Sequence, residues 1–172
     1  MEEVLCYADL PYPQVEVAAP NKQYLSMIRD LYAGELSEMT FCAQFSYQQI
    51  LQEGRCEEAE HVFGQIAASD MKHLKLLGLI IRELGGDPRF RCFKSARGMN
   101  YWSGSYPSYS MTVKKMLLDD IQSKKTGIAA YQKTLDVICD EGISAVLKRI
   151  LMDEQIHLAV LCDLYERSVG AK

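Results

Sequence analysis

Hydrophobic residues recur at alternating steps of three and four along four long stretches of this 172-residue chain. That spacing places them on one face of a helix, as in a helical bundle. The pattern predicts helix A from about residue 21 to 53, helix B from 57 to 84, helix C from 112 to 138 and helix D from 141 to 167. The row of positions on this face of each predicted helix is its seam.

The segments between the predicted helices indicate how the helices connect. Gly54 ends helix A, and residues 85–88, Gly-Gly-Asp-Pro, carry the glycine and proline that helix C-termini favour. The A–B and C–D turns are short, whereas residues 86–111 have no helical period and are too long for a turn between neighbours. We therefore predict an all-α, ferritin-like four-helix bundle with one long crossover between the second and third helices. Helices A and B, and likewise C and D, are then antiparallel neighbours.

The first 20 residues predict how the chain divides into an arm and a domain, and the overall composition limits its partners and location. Residues 1–20 contain three prolines and predict an extended arm, and residues 21–172 predict a single bundle domain. The net charge of −4 argues against a nucleic-acid partner. No apolar run approaches the roughly 20 residues of a membrane span, and the acidic N-terminus does not resemble a signal peptide. We expect a cytoplasmic protein with reduced cysteines. The sequence contains no Cys-x-x-Cys pair, so it predicts neither a zinc site nor a rubredoxin-type iron site.

Ionisable residues interrupt all four seams, and only near their middles. Asp70-x-x-His73 lies on the helix B seam and Glu154-x-x-His157 on the helix D seam, so each carboxylate and imidazole share a face. Counting residues from the two short turns places Glu38 of helix A level with the first pair. The same count places Lys124 of helix C level with the second. The sequence therefore predicts one polar layer inside the bundle.

Carboxylates and imidazoles in one buried layer suit iron or manganese, and ferritin-like bundles hold two such ions this way. The candidate metal ligands are Glu35, Glu38, Asp70, His73, Asp120, Glu154 and His157. Glu35 competes with Glu38 on helix A, and Asp120 lies one position off the helix C seam. Lys124 occupies the seam position where a fourth carboxylate is expected. The sequence leaves open two ions, one ion, or a metal-free salt-bridge network that Lys124 neutralises.

Three stretches resemble the ferritin-like superfamily, and within it the rubrerythrin-like and manganese-catalase-like proteins of bacteria. They are YAGELSEMTFCAQFSYQ in helix A, ASDMKHLKLLGLIIRELGGDPRF in helix B with its exit, and LKRILMDEQIHLAVL in helix D. The resemblance implies Glu38, Asp70, His73, Glu154 and His157 as metal ligands. Glu35 competes because it stands in a Gly-Glu-Leu context that resembles the manganese-catalase-like ligand.

The resemblance also implies an activity, namely reduction or dismutation of peroxide or oxidation of ferrous iron. Rubrerythrins proper carry a rubredoxin domain that this sequence lacks, so we expect any electron donor to be a separate protein. Pairing of ferritin-like bundles implies a homodimer. The alternative hypothesis is a non-enzymatic relative with a degenerate site, in which Lys124 closes an ion-pair network and the fold serves a structural or partner-binding role.

Overall fold

The computed structural model describes residues 5–93 and 98–170. Five helices form the body of the described chain: α1 (Lys22–Ala33), α2 (Glu38–Gln52), α3 (Glu57–Glu83), α4 (Val113–Leu135) and α5 (Glu141–Gly170). Residues 1–4 of the predicted arm, residues 94–97 of the predicted crossover and residues 171–172 of the predicted domain lie outside the described residues. The predicted all-α bundle with one crossover is confirmed: α2 packs along α3, α4 packs along α5, and residues 84–112 connect the two pairs.

The prediction of one continuous helix A is wrong, because the chain breaks between α1 and α2. Gly34 ends α1 in an extended conformation, and a Cβ atom there would lie 2.4 Å from the Asp30 carbonyl oxygen. Ser37 then begins α2, since its hydroxyl accepts a hydrogen bond from the Thr40 amide at 3.4 Å. The break makes Glu38 the first residue of α2 and leaves Glu35 exposed between the two helices.

The apolar core is divided into two clusters by the level at which the polar residues lie. One cluster includes Ile80 of α3, Tyr131 of α4 and Ile143 of α5. The other includes Phe63 of α3, Met116 of α4 and Leu161 of α5. On all three helices the charged seam residues fall between these two sets. The bundle therefore places one polar layer between two apolar layers.

The crossover and the arm cover the outside of the bundle. Strands β1 (Arg91–Phe93) and β2 (Met99–Tyr101) form an antiparallel hairpin in the crossover, and β1 packs against α1. Residues 5–20 form no helix or strand. Cys6 packs in the cluster around Phe63 and Val17 packs against the cluster around Ile80, so the arm passes the level of the polar layer. No helix in the described ranges combines the length and apolar character needed to cross a membrane.

Candidate metal centre

Six ionisable residues from four helices meet in the polar layer, and each is 0% exposed. They are Glu38 of α2, Asp70 and His73 of α3, Lys124 of α4, and Glu154 and His157 of α5. Helical spacing explains the pairs, because residues three apart on α3 or α5 project from the same face. The described structure thus brings together five of the seven candidate ligands. Lys124, which is not a candidate ligand, lies between them. That these residues bind a metal stays a prediction.

Four of these residues surround one position that fits a metal ion. Glu38, Asp70, His73 and Glu154 each offer a donor atom, and the four atoms lie within 4.8 Å of one another. His73 Nδ1 is 3.4 Å from Glu38 Oε2 and 3.6 Å from both Asp70 Oδ1 and Glu154 Oε1. Donors bound to one ion at 2.0–2.2 Å are separated by roughly 3–3.5 Å. The distances from His73 Nδ1 to the three carboxylates are close to this separation, so the four donors can surround one ion.

Two atoms at this position have no hydrogen-bond partner within the described part of the chain. They are His73 Nδ1 and Glu38 Oε2, both fully buried; they lie 3.4 Å apart and form an ion pair only when His73 is protonated. A buried polar atom without a partner costs about 1–3 kcal/mol, so native proteins rarely keep one without a reason. A metal ion between the imidazole and the three carboxylates would satisfy both atoms. The donor set, one nitrogen and carboxylate oxygens, suits iron or manganese.

The second ring nitrogen of His73 is held by Asp153, a residue that the sequence analysis missed. Asp153 Oδ2 lies 3.0 Å from His73 Nε2 and accepts a hydrogen bond from the Tyr12 hydroxyl at 2.5 Å. Its Oδ1 accepts from the Ala8 amide at 2.7 Å and from the Arg149 guanidinium. Burial alone would raise the pKa of Asp153, but these hydrogen bonds hold it well below its ordinary value. The carboxylate therefore keeps the proton of neutral His73 on Nε2 and leaves Nδ1 facing the metal position.

The Lys124 ammonium lies beside the metal position and contacts two of the same carboxylates. Its Nζ is 3.0 and 3.1 Å from the Asp70 oxygens and 2.8 and 2.9 Å from the Glu154 oxygens. His157 Nδ1 lies 3.2 Å from Nζ. The Phe41 and Phe45 ring centroids, 4.3 and 5.3 Å away, also lie around the ammonium.

The layer shifts the pKa values of its members in directions that follow from these contacts. Burial lowers and the Asp70 and Glu154 carboxylates raise the pKa of Lys124, with a net rise, so the ammonium stays charged. Burial raises the pKa of Asp70 well above its ordinary value despite Lys124. Against its own burial, Glu154 has its pKa held well below the ordinary value by Lys124. The ammonium also lies slightly nearer to Glu154, at 2.8 and 2.9 Å, than to Asp70, at 3.0 and 3.1 Å.

The two histidines have opposite protonation preferences. Burial disfavours imidazolium at both, but the carboxylates around His73, Glu38 foremost, raise its pKa well above the ordinary value. Burial and the adjacent Lys124 ammonium lower the pKa of His157 to about 4. His157 is therefore neutral at pH 7, and its Nδ1 lies between the Lys124 ammonium, a donor at 3.2 Å, and Glu154 Oε1, an acceptor at 3.1 Å.

Glu38 is oriented from the opposite side by Tyr131 of α4. The Tyr131 hydroxyl donates to Glu38 Oε1 and leaves Oε2 facing His73. Burial and the neighbouring carboxylate raise the pKa of Tyr131 well above its ordinary value, so the phenol keeps its proton. A phenol in this contact holds the Glu38 carboxylate in one rotamer.

The remaining two candidate ligands lie outside this cluster. Glu35 is exposed in the break between α1 and α2. Asp120 is buried, but its Oδ1 accepts hydrogen bonds from Gln44 Nε2 at 2.7 Å and Gln48 Nε2 at 2.9 Å. Burial raises the pKa of Asp120 to about 7. The geometry favours Glu38 over Glu35 as the ligand from this part of the chain, and places Asp120 beside the Gln44 and Gln48 amides, which bind its Oδ1 and leave its Oδ2 without a hydrogen bond among the described residues.

Comparison with known proteins identifies the fold. No protein-family model matches the sequence, and no curated protein matches it either. The structure of KatB, a manganese catalase from Anabaena PCC7120, has a TM-score of 0.82 at 19% identity over 95% of this chain and 80% of that chain. The Desulfovibrio desulfuricans bacterioferritin, whose structure is described with a diiron site, has a TM-score of 0.72 at 19% identity over 87% and 81%. The chain therefore has the ferritin-like fold, and the resemblance predicted from the sequence is confirmed at that level.

Proposed function

We propose that this chain is an oxidoreductase that uses iron or manganese, held by Glu38, Asp70, His73 and Glu154, on peroxide or dioxygen. The observation that carries the proposal is the buried four-donor cluster, in which His73 Nδ1 and Glu38 Oε2 lie 3.4 Å apart beside two further carboxylates and have no hydrogen bond among the described residues. The likeness to a manganese catalase and to a diiron bacterioferritin supports the same metals. When bound, either metal supplies one-electron redox chemistry.

The protein residues prepare the site without further rearrangement. Asp153 fixes the orientation of His73, and Tyr131 fixes that of Glu38. Such supporting hydrogen bonds keep metal ligands in place and tune their basicity. Because the surrounding layer is 0% exposed, bulk water is excluded and the contacts act in a low dielectric.

Complete burial also restricts the substrate to a small molecule. None of the four proposed ligands reaches the surface, and a closely packed core admits large molecules only by opening. Hydrogen peroxide and dioxygen are small enough to reach such a site through local fluctuations. This argument supports peroxide or dioxygen as substrate and opposes organic substrates of metabolite size.

The test is metal analysis of protein purified without chelator, reported as ions per chain, together with consumption of hydrogen peroxide and dioxygen. We expect stoichiometric iron or manganese that is lost in His73→Ala. His61→Ala is the matched control, because His61 is an exposed histidine on the same helix. Circular dichroism checks that both variants are folded. Metal retained by folded His73→Ala would refute the site, and loaded protein that consumes neither oxidant with any reductant would refute the activity.

One observation favours a second candidate, a metal-free structural or partner-binding protein. Lys124 contacts four carboxylate oxygens at 2.8–3.1 Å and so closes an ion-pair network by itself. In that case wild-type protein would be folded, empty of metal and unaffected by added iron or manganese. The cytoplasmic location, the homodimer and the separate electron-donor protein stay predictions from the sequence.

A further inference from the structure

We infer that the Lys124 ammonium permanently takes the place of a second metal ion, so that this chain holds one iron or manganese ion and not two. The inference rests on the proposed metal site and concerns how many ions it accepts. Ferritin-like proteins with two ions use a carboxylate on each of two helices and a Glu-x-x-His pair on each of the other two. Here α4 supplies an ammonium at that level.

The ammonium occupies a position with the surroundings of a second cation site. Two carboxylates contribute to both positions: Asp70 Oδ1 is 3.6 Å from His73 Nδ1 and 3.0 Å from Lys124 Nζ. Glu154 Oε1 is 3.6 Å from the same Nδ1 and 2.8 Å from Nζ. His157 turns its Nδ1 toward the ammonium, as His73 turns its Nδ1 toward the metal position. The layer therefore has two cation positions that share two carboxylates, and a side chain fills one of them.

The ammonium has no alternative position to which it could move. Lys124 is 0% exposed, and the rings of Phe41 and Phe45 pack around its Nζ. Its three N–H donors face four carboxylate oxygens and one imidazole nitrogen, so every donor has an acceptor. Displacing it would bury an unpaired ammonium, which costs far more than a lost surface ion pair.

Formal charge gives the same count of ions. Glu38, Asp70 and Glu154 bring three negative charges to the layer and Lys124 brings one positive charge, while the charge of Asp153 beside His73 is balanced by Arg149. The two negative charges that remain are balanced by one divalent ion bound to neutral His73. A second divalent ion would leave the layer with uncompensated positive charge beside a fixed ammonium. One ion is therefore the count that keeps the buried layer neutral.

The experiment compares wild type with Lys124→Glu and with Lys125→Glu. The second variant is the matched control, because it makes the same charge change at the next, exposed residue of α4. Each metal-free protein is reconstituted with manganese(II) and desalted, and manganese per chain is measured with the electron paramagnetic resonance spectrum. We expect one ion with an isolated-ion spectrum in wild type and Lys125→Glu. We expect two ions with a magnetically coupled spectrum in Lys124→Glu, where the introduced carboxylate joins Asp70, Glu154 and His157.

The outcomes separate this inference from the proposed function. Two ions in wild type, or one ion in folded Lys124→Glu, would overturn the inference and leave the metal site intact. No ion in wild type would overturn both. If Lys124→Glu does not fold, Lys124→Gln replaces it. This variant removes the ammonium and leaves Asp70, Glu154 and His157 as ligands for a second ion. Lys124→Gln should then approach two ions per chain as free manganese is raised, and a persistent count of one would overturn the inference.

Discussion

Loading a metal ion into this centre should expel two protons. Without metal, the layer holds the Glu38, Asp70 and Glu154 carboxyl groups against the single charge of Lys124. A buried layer with uncompensated negative charge is costly, and it is neutralised most simply by protons. We expect Asp70 and His73 to take them, since burial raises the pKa of Asp70 and the surrounding carboxylates raise the pKa of His73 against its burial. A divalent ion replaces both protons.

The magnitude follows from linkage between protons and metal. If two protons leave per ion bound, the association constant rises about 100-fold for each pH unit, as long as both groups are protonated in the metal-free protein. This corresponds to about 2.7 kcal/mol of binding free energy per pH unit. Metal affinity increases with pH, because raising the pH removes the competing protons from Asp70 and His73.

Proton release is measured directly by adding manganese(II) to metal-free protein in weakly buffered solution at pH 7 and titrating the acid. Calorimetry in two buffers of different ionisation enthalpy gives the same number independently. His73→Gln should release about one proton fewer and bind more weakly, because Gln neither carries a proton nor offers an imidazole nitrogen. Stoichiometric binding with no proton release would refute the assignment of protons to Asp70 and His73.

Three further predictions concern the residues around the metal position. Asp153→Asn should weaken manganese affinity by about 10–100-fold without changing the number of ions; competition with a chelator measures this, and unchanged affinity would contradict a role for Asp153 in orienting His73. Lys124→Met should lower the free energy of unfolding of metal-free protein by about 3–5 kcal/mol in urea, because it leaves the buried Glu154 carboxylate without its cation. Exposed Lys125→Met should change the same free energy by less than about 0.5 kcal/mol. If the two variants lower it equally, the ion-pair network is not needed for stability. Finally, because the folded pKa of His73 is raised above 6.5, its contribution to stability is complete below that pH and is lost as the pH rises through the folded value. Metal-free protein should thus melt lower at pH 9 than at pH 6, His73→Gln should reduce this difference, and a higher melting temperature at pH 9 would contradict the prediction.

The sequence predicted the helices best where the period and the end signals agree. Helix B, predicted over 57–84, is α3 (Glu57–Glu83), and helix D, predicted over 141–167, is α5 (Glu141–Gly170). The sequence did not predict the break in helix A, because the seam period continues through it, with Glu35 and Glu38 three residues apart. The available signals were local, namely Gly34 followed by Ser37 as an N-cap, and local capping overcame the longer pattern.

The candidate site was predicted from the positions on the seams. The residues that this prediction missed, Asp153 and Tyr12, lie off the seams. Asp153 lies one position before Glu154, so a search by period passes over it; Arg149, four residues earlier, was the available sign of a buried ion pair. Tyr12 lies in the arm, where no period exists to place a side chain. Its hydroxyl reaches Asp153 only because the arm packs across the bundle, and a sequence does not encode that packing in any local pattern.

The presence of this network is better explained by function than by stability. Replacing a buried ion network by apolar residues of similar volume is often neutral or stabilising, and the apolar clusters on both sides would extend through the layer without interruption. The layer also keeps His73 Nδ1 and Glu38 Oε2 without a hydrogen bond among the described residues, and only an ion pair at 3.4 Å joins them when His73 is protonated. A network that existed only to neutralise Lys124 would need one carboxylate, yet Glu38 points at His73 and takes its hydrogen bond from Tyr131 instead of from the ammonium. Neutralisation of Lys124 therefore gives no reason for the buried Glu38–His73 pair at 3.4 Å, whereas a bound ion gives both residues a role as ligands.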